Sequence, residues 1–540
     1  MKRFSLFDIV IIGTALVILL FVWPLIASLF ADDGIDALQL LKDETSGFKS
    51  SLYRTIVFAL FSAVLCVTGS LLLAIRLSDI SFYSKMGRML SLFMLPMALG
   101  NVTVAYIFKI VWFDSAFLDY IIKNGVFAQY ALLFILQCWQ YLFLFAYLFW
   151  IQIQSIPSKI TTYSSVIGHT RIESLKDVIL PAVKKLFVLL LLMEFVFSFY
   201  ENAKSNFIFK VSQGTKTELI SQAIARIYHS NLGLDPSFAY NTVCHTSLFI
   251  FIVVLAALFI LGVVASVVIG RVSGSRYTFH GESKLAVKVP KVRSSYFISM
   301  VCILIIWLPV IVALVKSYYH FSFEALYEPA SVFFLTVVAA LFSTILAILF
   351  GIALKVILKK SLNGLNTKSL GYLLVVFLLQ VIPPLCIVLF LFKFLAVVGY
   401  NVDLFVYMVW IVGHSFLNLP VLGSFVLVAH YAVKENELDY LSVHRVCSWG
   451  IIKYSFVKRF RMEYILTFLF AFIFIWNDAG LNMVLSDNLP SFAKKLEMLF
   501  MGKAANYSQA TLYVFVALTL AIICLWVWQC VINRIMKSRE

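Results

Sequence analysis

Charge is what this chain is short of. Asp, Glu, Lys and Arg make up 13% of its 540 residues, while 62% are hydrophobic. Soluble globular domains carry about 25% charged and about 45–50% apolar residues. Surface-to-volume scaling leaves a soluble chain of this length too little interior to hide so much apolar surface. Soluble enzymes, disordered proteins and fibres are thereby excluded, and lipid must be the solvent. Paired cysteines are also missing: the eight cysteines are scattered through apolar runs with no C-x-x-C pair, so neither a disulfide framework nor a zinc site is indicated. The eight histidines are dispersed. There is no H-E-x-x-H, no nucleophile elbow and no G-x4-G-K-[ST]. Gly214-Thr215-Lys216-Thr217 lacks the first glycine and the Gly-Lys adjacency that a phosphate cradle needs. The chain is read as a non-enzyme that binds no cofactor of its own.

Aromatic residues are 16%, with 51 Phe, and Lys plus Arg exceed Asp plus Glu by 43 to 27. In a soluble protein that balance would suggest nucleic acid. In a membrane protein it marks cytoplasmic loops, which are enriched in Lys and Arg, and no nucleic-acid partner is expected. A spanning helix needs roughly 20 apolar residues. On that rule the expected fold class is an all-α polytopic membrane protein of about 12 transmembrane helices. The expected spans are 9–30, 55–75, 89–113, 127–153, 186–209, 248–269, 296–315, 332–354, 373–392, 404–433, 464–485 and 512–532. The first follows Lys2-Arg3 and exceeds the roughly 7–15 apolar residues of a cleaved signal, so it is read as retained. With the N-terminus inside, 29 of the 43 basic residues fall on the cytoplasmic side. Both termini are therefore expected in the cytoplasm, in a bacterial inner membrane.

The chain repeats itself. Thr55 to Ser62 reads TIVFALFS and Thr336 to Ser343 reads TVVAALFS, 281 residues later. Glu201-Asn202-Ala203 and Asn206 have Asn477-Asp478-Ala479 and Asn482 at an offset of 276. Two parallel six-helix repeats are expected, related by an axis along the membrane normal. Residues 1–270 form the first half, the basic stretch 271–295 a cytoplasmic linker, and 296–540 the second half.

The most specific signal lies between the fourth and fifth spans. Gly168 is followed by nine residues, then Val178, one residue, Leu180 and Pro181. Gly168 permits a turn between two short helices, and Pro181 suits a helix start. This stretch resembles the cytoplasmic signature E-A-A-x3-G-x9-I-x-L-P of permeases from ATP-binding-cassette importers, with Thr162, Tyr163 and Ser164 at the E-A-A positions. The second half has a degraded equivalent, with Ser442, Val446 and Arg459 at the matching places. Leu95-Pro96, Ile382-Pro383 and the HSFLNLP stretch His414 to Pro420 resemble the same family, as does the helix-forming TELISQAIARIY of Thr217 to Tyr228. The resemblance is closest to the fused two-half permeases of iron(III)- and thiamine-type importers. It implies two copies of a cytoplasmic ATPase subunit, which bind ATP and Mg in place of this chain. It also implies a periplasmic or surface solute-binding protein that delivers cargo, and ATPase docking on the 157–181 and 435–459 loops.

Polar residues inside spans are costly and so are functional candidates. Glu201, Asn202, Asn477 and Asp478 are candidates for the translocation path. The bland alternative has them capping helix ends at the outer surface. Glu194 lies in the same fifth span. Lys109 and Lys204 are possible partners or snorkelling cations. Gln137, Gln140 and Asn418 suit hydrogen bonds between helices. Two other classes compete. A stand-alone secondary transporter of the major-facilitator kind also has two six-span halves, but its G-x3-D-[RK]-x-G-[RK]-[RK] pattern fails around Asp79 and Gly87-Arg88. A membrane enzyme acting on lipid-linked substrates would need a denser polar loop than 487–503.

Overall fold

The computed structural model describes residues 37–112 (without 44–45 and 82–83), 126–156 (without 155) and 173–205 (without 174 and 202–203). It also describes 218–272 (without 233–235), 293–318, 327–361, 460–477 and 507–537, with single positions and short pieces between 407 and 426 and between 492 and 499. Among the described residues the chain is helical and contains no strand. The helices are α1 (Ala37–Lys42), α2 (Phe48–Leu77), α3 (Lys85–Met89), α4 (Leu95–Ala98), α5 (Gly100–Trp112) and α6 (Val126–Gln154). They continue with α7 (Leu180–Phe199), α8 (Ile220–Leu232), α9 (Pro236–Val272), α10 (Arg293–Tyr318), α11 (Tyr327–Ser361), α12 (Arg461–Asn477) and α13 (Tyr507–Lys537).

Six of these, α2, α6, α9, α10, α11 and α13, are long and apolar enough to cross a membrane. The protein is an all-α multi-pass membrane protein. Each helix covers an expected span and runs from one to twelve residues past it at each end, because helix ends continue into polar sequence once the apolar stretch is complete. Leu304, Leu308, Ile311 and Val315 line one exposed stripe of α10 at helical spacing. Such a stripe would be a liability in water and is the ordinary face a helix turns to lipid. In α6, by contrast, 72% of the apolar window is buried against protein, compared with 22% in α9. α6 is therefore central and α9 peripheral.

The expected span 89–113 is not one straight helix. The pieces Lys85–Ala98 and Gly100–Phe108 meet at 92°. Gly100 has φ +65°, a left-handed conformation that a side chain disfavours. The apolar composition of this run predicts burial in lipid; the right-angle bend within it falls at one glycine with a left-handed backbone. The fifth span also differs. Expected over 186–209, it is built by α7, which starts at Leu180, preceded by a π turn over Leu175–Ile179, and stops at Phe199. The eleventh, expected over 464–485, is helical over Arg461–Asn477. Spans one and nine lie outside the described residues.

α2 and α6 run side by side in the same direction. Ser70 Oγ donates to Leu142 O at 2.8 Å, and Phe58 packs on Tyr130, both pairs 72 residues apart. Trp150 Nε1 donates to Leu77 O and Ile80 O, at 3.1 and 3.2 Å, supplying partners for carbonyls at the end of α2. Ser343 on α11 and Ser415 touch through their hydroxyls at 2.9 Å, again 72 residues apart. α7 packs against α2, and α12 packs against α11. Residues far apart in sequence are also joined: Trp139 Nε1 donates to Ile305 O at 3.2 Å, and Gln529 Nε2 to Ser91 Oγ at 2.8 Å.

Candidate functional site

α7 opens with Leu180 and Pro181 in its first turn, where a proline costs nothing because that N–H has no helical partner. Val178, in the π turn before it, is buried. Further along, Glu194 and Ser198 stand one turn apart and so share a face. That face meets Gln137 on α6. Gln137 Nε2 donates to Glu194 Oε1 at 3.1 Å and to Ser198 Oγ at 3.0 Å, and Ser198 Oγ donates to the same Glu194 oxygen at 3.1 Å. Glu194 Oε2 has no partner.

The helix ends at Phe199, and Glu201 then takes up a capping role. Its Oε1 accepts the backbone N–H of Lys204 at 2.7 Å, the geometry of a residue three positions ahead of a turn. Lys204 Nζ lies 3.2 Å from Glu201 Oε2, with both side chains fully buried. The same ammonium donates to Gln137 Oε1 and sits 5.3 Å from the centre of the Tyr141 ring. Tyr141 stacks on Phe197 and donates its hydroxyl to Asn101 Oδ1 at 3.5 Å, just after the bend at Gly100. One continuous polar network thus joins the broken span, α6 and the end of α7. A buried ion pair of this kind persists only when further hydrogen bonds satisfy the remaining polar atoms; Gln137 Oε1 supplies one to Lys204, and the Lys204 backbone N–H supplies one to Glu201.

A second buried group joins α8 to α2. Arg226 Nε and Nη2 donate to Glu218 Oε1 and Oε2 at 2.8 and 3.2 Å, and Nη2 also reaches Ser46 O at 2.7 Å. Thr55 Oγ1 accepts from Ile220 N at 2.8 Å, and Gln222 Oε1 accepts from Leu219 N at 2.8 Å. These contacts fix the first turn of α8, the short helix expected around Thr217 to Tyr228.

Of the sequence candidates, Glu201, Leu180 and Pro181 are placed as above. Asn477 is the last residue of α12. Thr162, Tyr163, Ser164, Gly168, Asn202, Ser442, Val446, Arg459 and Asp478 lie outside the described residues. Gln137 bonds between helices as its position in a span suggested, and Asn418 Nδ2 bonds within its own segment, to His414 O at 2.9 Å. The roles of Ser198, Tyr141, Glu218 and Arg226 were not foreseen. For Ser198, the spacing of four from Glu194 was the available signal. At the offset of 276, Glu194 and Ser198 correspond to Phe470 and Phe474, which form a stacked pair with ring centres 6.1 Å apart. The polar network therefore has no like-for-like copy on α12. No protein-family model matches the chain, and no curated protein matches it.

Proposed function

We propose that this chain is the fused, two-half permease subunit of an ATP-driven importer, carrying a small solute such as iron(III) or thiamine across the cytoplasmic membrane by alternating access. The observation that carries the proposal is the Gly168-x9-Val178-x-Leu180-Pro181 signature, whose end runs directly into α7. α7 packs against α2, α6 and α9. A push delivered to the loop by an ATPase subunit is therefore passed into the bundle as movement of a packed helix. The recurrence of the 72-residue pairing in Ser70–Leu142 and Ser343–Ser415 supports two parallel halves of six spans, twelve in all. So does the shared association of α2 with α7 and of α11 with α12. On this reading the termini are cytoplasmic and ATP and Mg are held by two copies of a partner ATPase. A solute-binding protein delivers cargo at the outer face, and Glu201, Asn202, Asn477 and Asp478 lie along the translocation route.

The buried carboxyls of Glu194 on α7 and of Glu201 just past its end favour a second reading, a stand-alone secondary transporter driven by an ion gradient. One experiment separates the two. Deletion of Ser164 to Arg171, or Gly168→Pro, is expected to abolish uptake and ATPase association while membrane insertion persists. Unchanged uptake by the deletion variant refutes the coupling assignment. Accumulation of solute by the purified chain alone, in liposomes with an ion gradient and no ATP, establishes the second reading.

A further inference from the structure

Glu194, Glu201 and Lys204 bring two carboxyl groups and one ammonium into a space water does not reach, with exposures of 0%, 1% and 0%. The charges around them can be counted. Among the described residues, the titratable groups that face Glu194 from neighbouring helices are Cys66 on α2 and Tyr141 on α6. Both types are neutral near pH 7 in their ordinary state. The nearest charged residues of α2, Arg54 and Arg76, are ten or more positions from Cys66, about 15 Å along the axis. Lys185, the nearest charge of α7 on its N-terminal side, is nine positions from Glu194, about 14 Å. α9 passes at the level where Gly262 lies against Leu192, and it has no titratable residue from Leu248 to Gly270. Counted over the described residues, the network with both carboxyls ionised carries one uncompensated negative charge in a dry interior, the arrangement that burial penalises most.

We propose that this network is a proton-binding site, holding one proton on Glu194 Oε2. The two carboxyls are not equivalent. Glu201 faces the Lys204 ammonium through one oxygen and a backbone N–H through the other. Glu194 receives only an amide N–H and a hydroxyl, both on Oε1, and its Oε2 is bare. The carboxyl served by neutral donors on one oxygen keeps the proton on the other. Three residues along α6 from Gln137, Gln140 Oε1 is likewise buried without a donor, so this part of the interior is short of hydrogens rather than of acceptors. The site stands on these contacts whatever the transported solute or energy source.

The charge count makes a test that burial alone does not. Full-length protein is reconstituted in phosphatidylcholine vesicles at neutral pH, and the infrared C=O stretch of protonated carboxylic acids is compared between variants. The wild type is expected to show one such group that Glu194→Gln lacks. Glu201→Gln, which leaves Glu194 untouched, is expected to lose the same band, because a single carboxylate now balances Lys204. Lys204→Gln is expected to show two groups. A band retained in Glu201→Gln means that Glu194 is neutral through burial alone and overturns the proposal, even if Lys204→Gln fails to fold. A band retained in Glu194→Gln, or absent from the wild type, also overturns it. So does a wild-type band that appears only when sodium and potassium are replaced by choline, since a metal ion then occupies the position of the proton.

Discussion

Lys204→Met should be among the most damaging single changes to this protein. The ammonium it removes is fully buried, lies 3.2 Å from Glu201 Oε2, donates to Gln137 Oε1 and rests over the Tyr141 ring. Removing one partner of a buried pair costs about 3–5 kcal/mol, because the remaining charge is stranded. The lost hydrogen bond to Gln137 and the lost ring contact are part of that figure, since one side chain makes all three. At about 1.4 kcal/mol per tenfold, the folded-to-unfolded ratio should fall by a factor of about 140 to 3,700. The measurement is reversible unfolding in mixed micelles with rising sodium dodecyl sulfate, followed by tryptophan fluorescence. Adding Glu201→Gln removes one stranded carboxylate and should recover at least about 1 kcal/mol, a coupling within the range of contacting pairs. A loss below about 1 kcal/mol, or strict additivity with Glu201→Gln, would refute the view that this pair is desolvated and coupled.

Two further changes test packing and pairing elsewhere in the molecule. At Gly423 an added Cβ falls on the Phe350 ring of α11, so Gly423→Ala should cost about 1–3 kcal/mol by overpacking, and Phe350→Leu in the same chain should restore most of it in the same unfolding assay. Arg226→Ala strands Glu218 and frees Ser46 O; it should cost about 1.5–3 kcal/mol and raise amide hydrogen exchange in α8 while leaving α10 and α13 unchanged, and unchanged exchange in α8 would show that the pair does not hold that helix.

The spans were legible in the amino-acid sequence because a bilayer asks only for length and apolarity, both of which are one-dimensional properties. α2, α6, α9, α10, α11 and α13 fall where the apolar runs predict them. Pro181 at a helix start was legible too, since the ring that cannot donate a hydrogen bond is tolerated there. The polar content of the fifth span marked Glu194 and Glu201 as worth explaining, and named Lys204 as a possible partner. Only the tertiary structure decided the rest. The bend at Gly100 is invisible in an apolar run because it depends on the sign of one φ angle. The choice of Glu201 over Glu194 as the partner of Lys204 depends on where α7 stops and on which residue of α6 stands opposite. Gln137 can link the Glu194 carboxyl to the Lys204 ammonium because the packing of α6 on α7 brings its single amide between them. Hydrogen bonds and ion pairs in a dry interior are set by distances of a few ångströms in three dimensions, which composition and spacing along the chain do not fix.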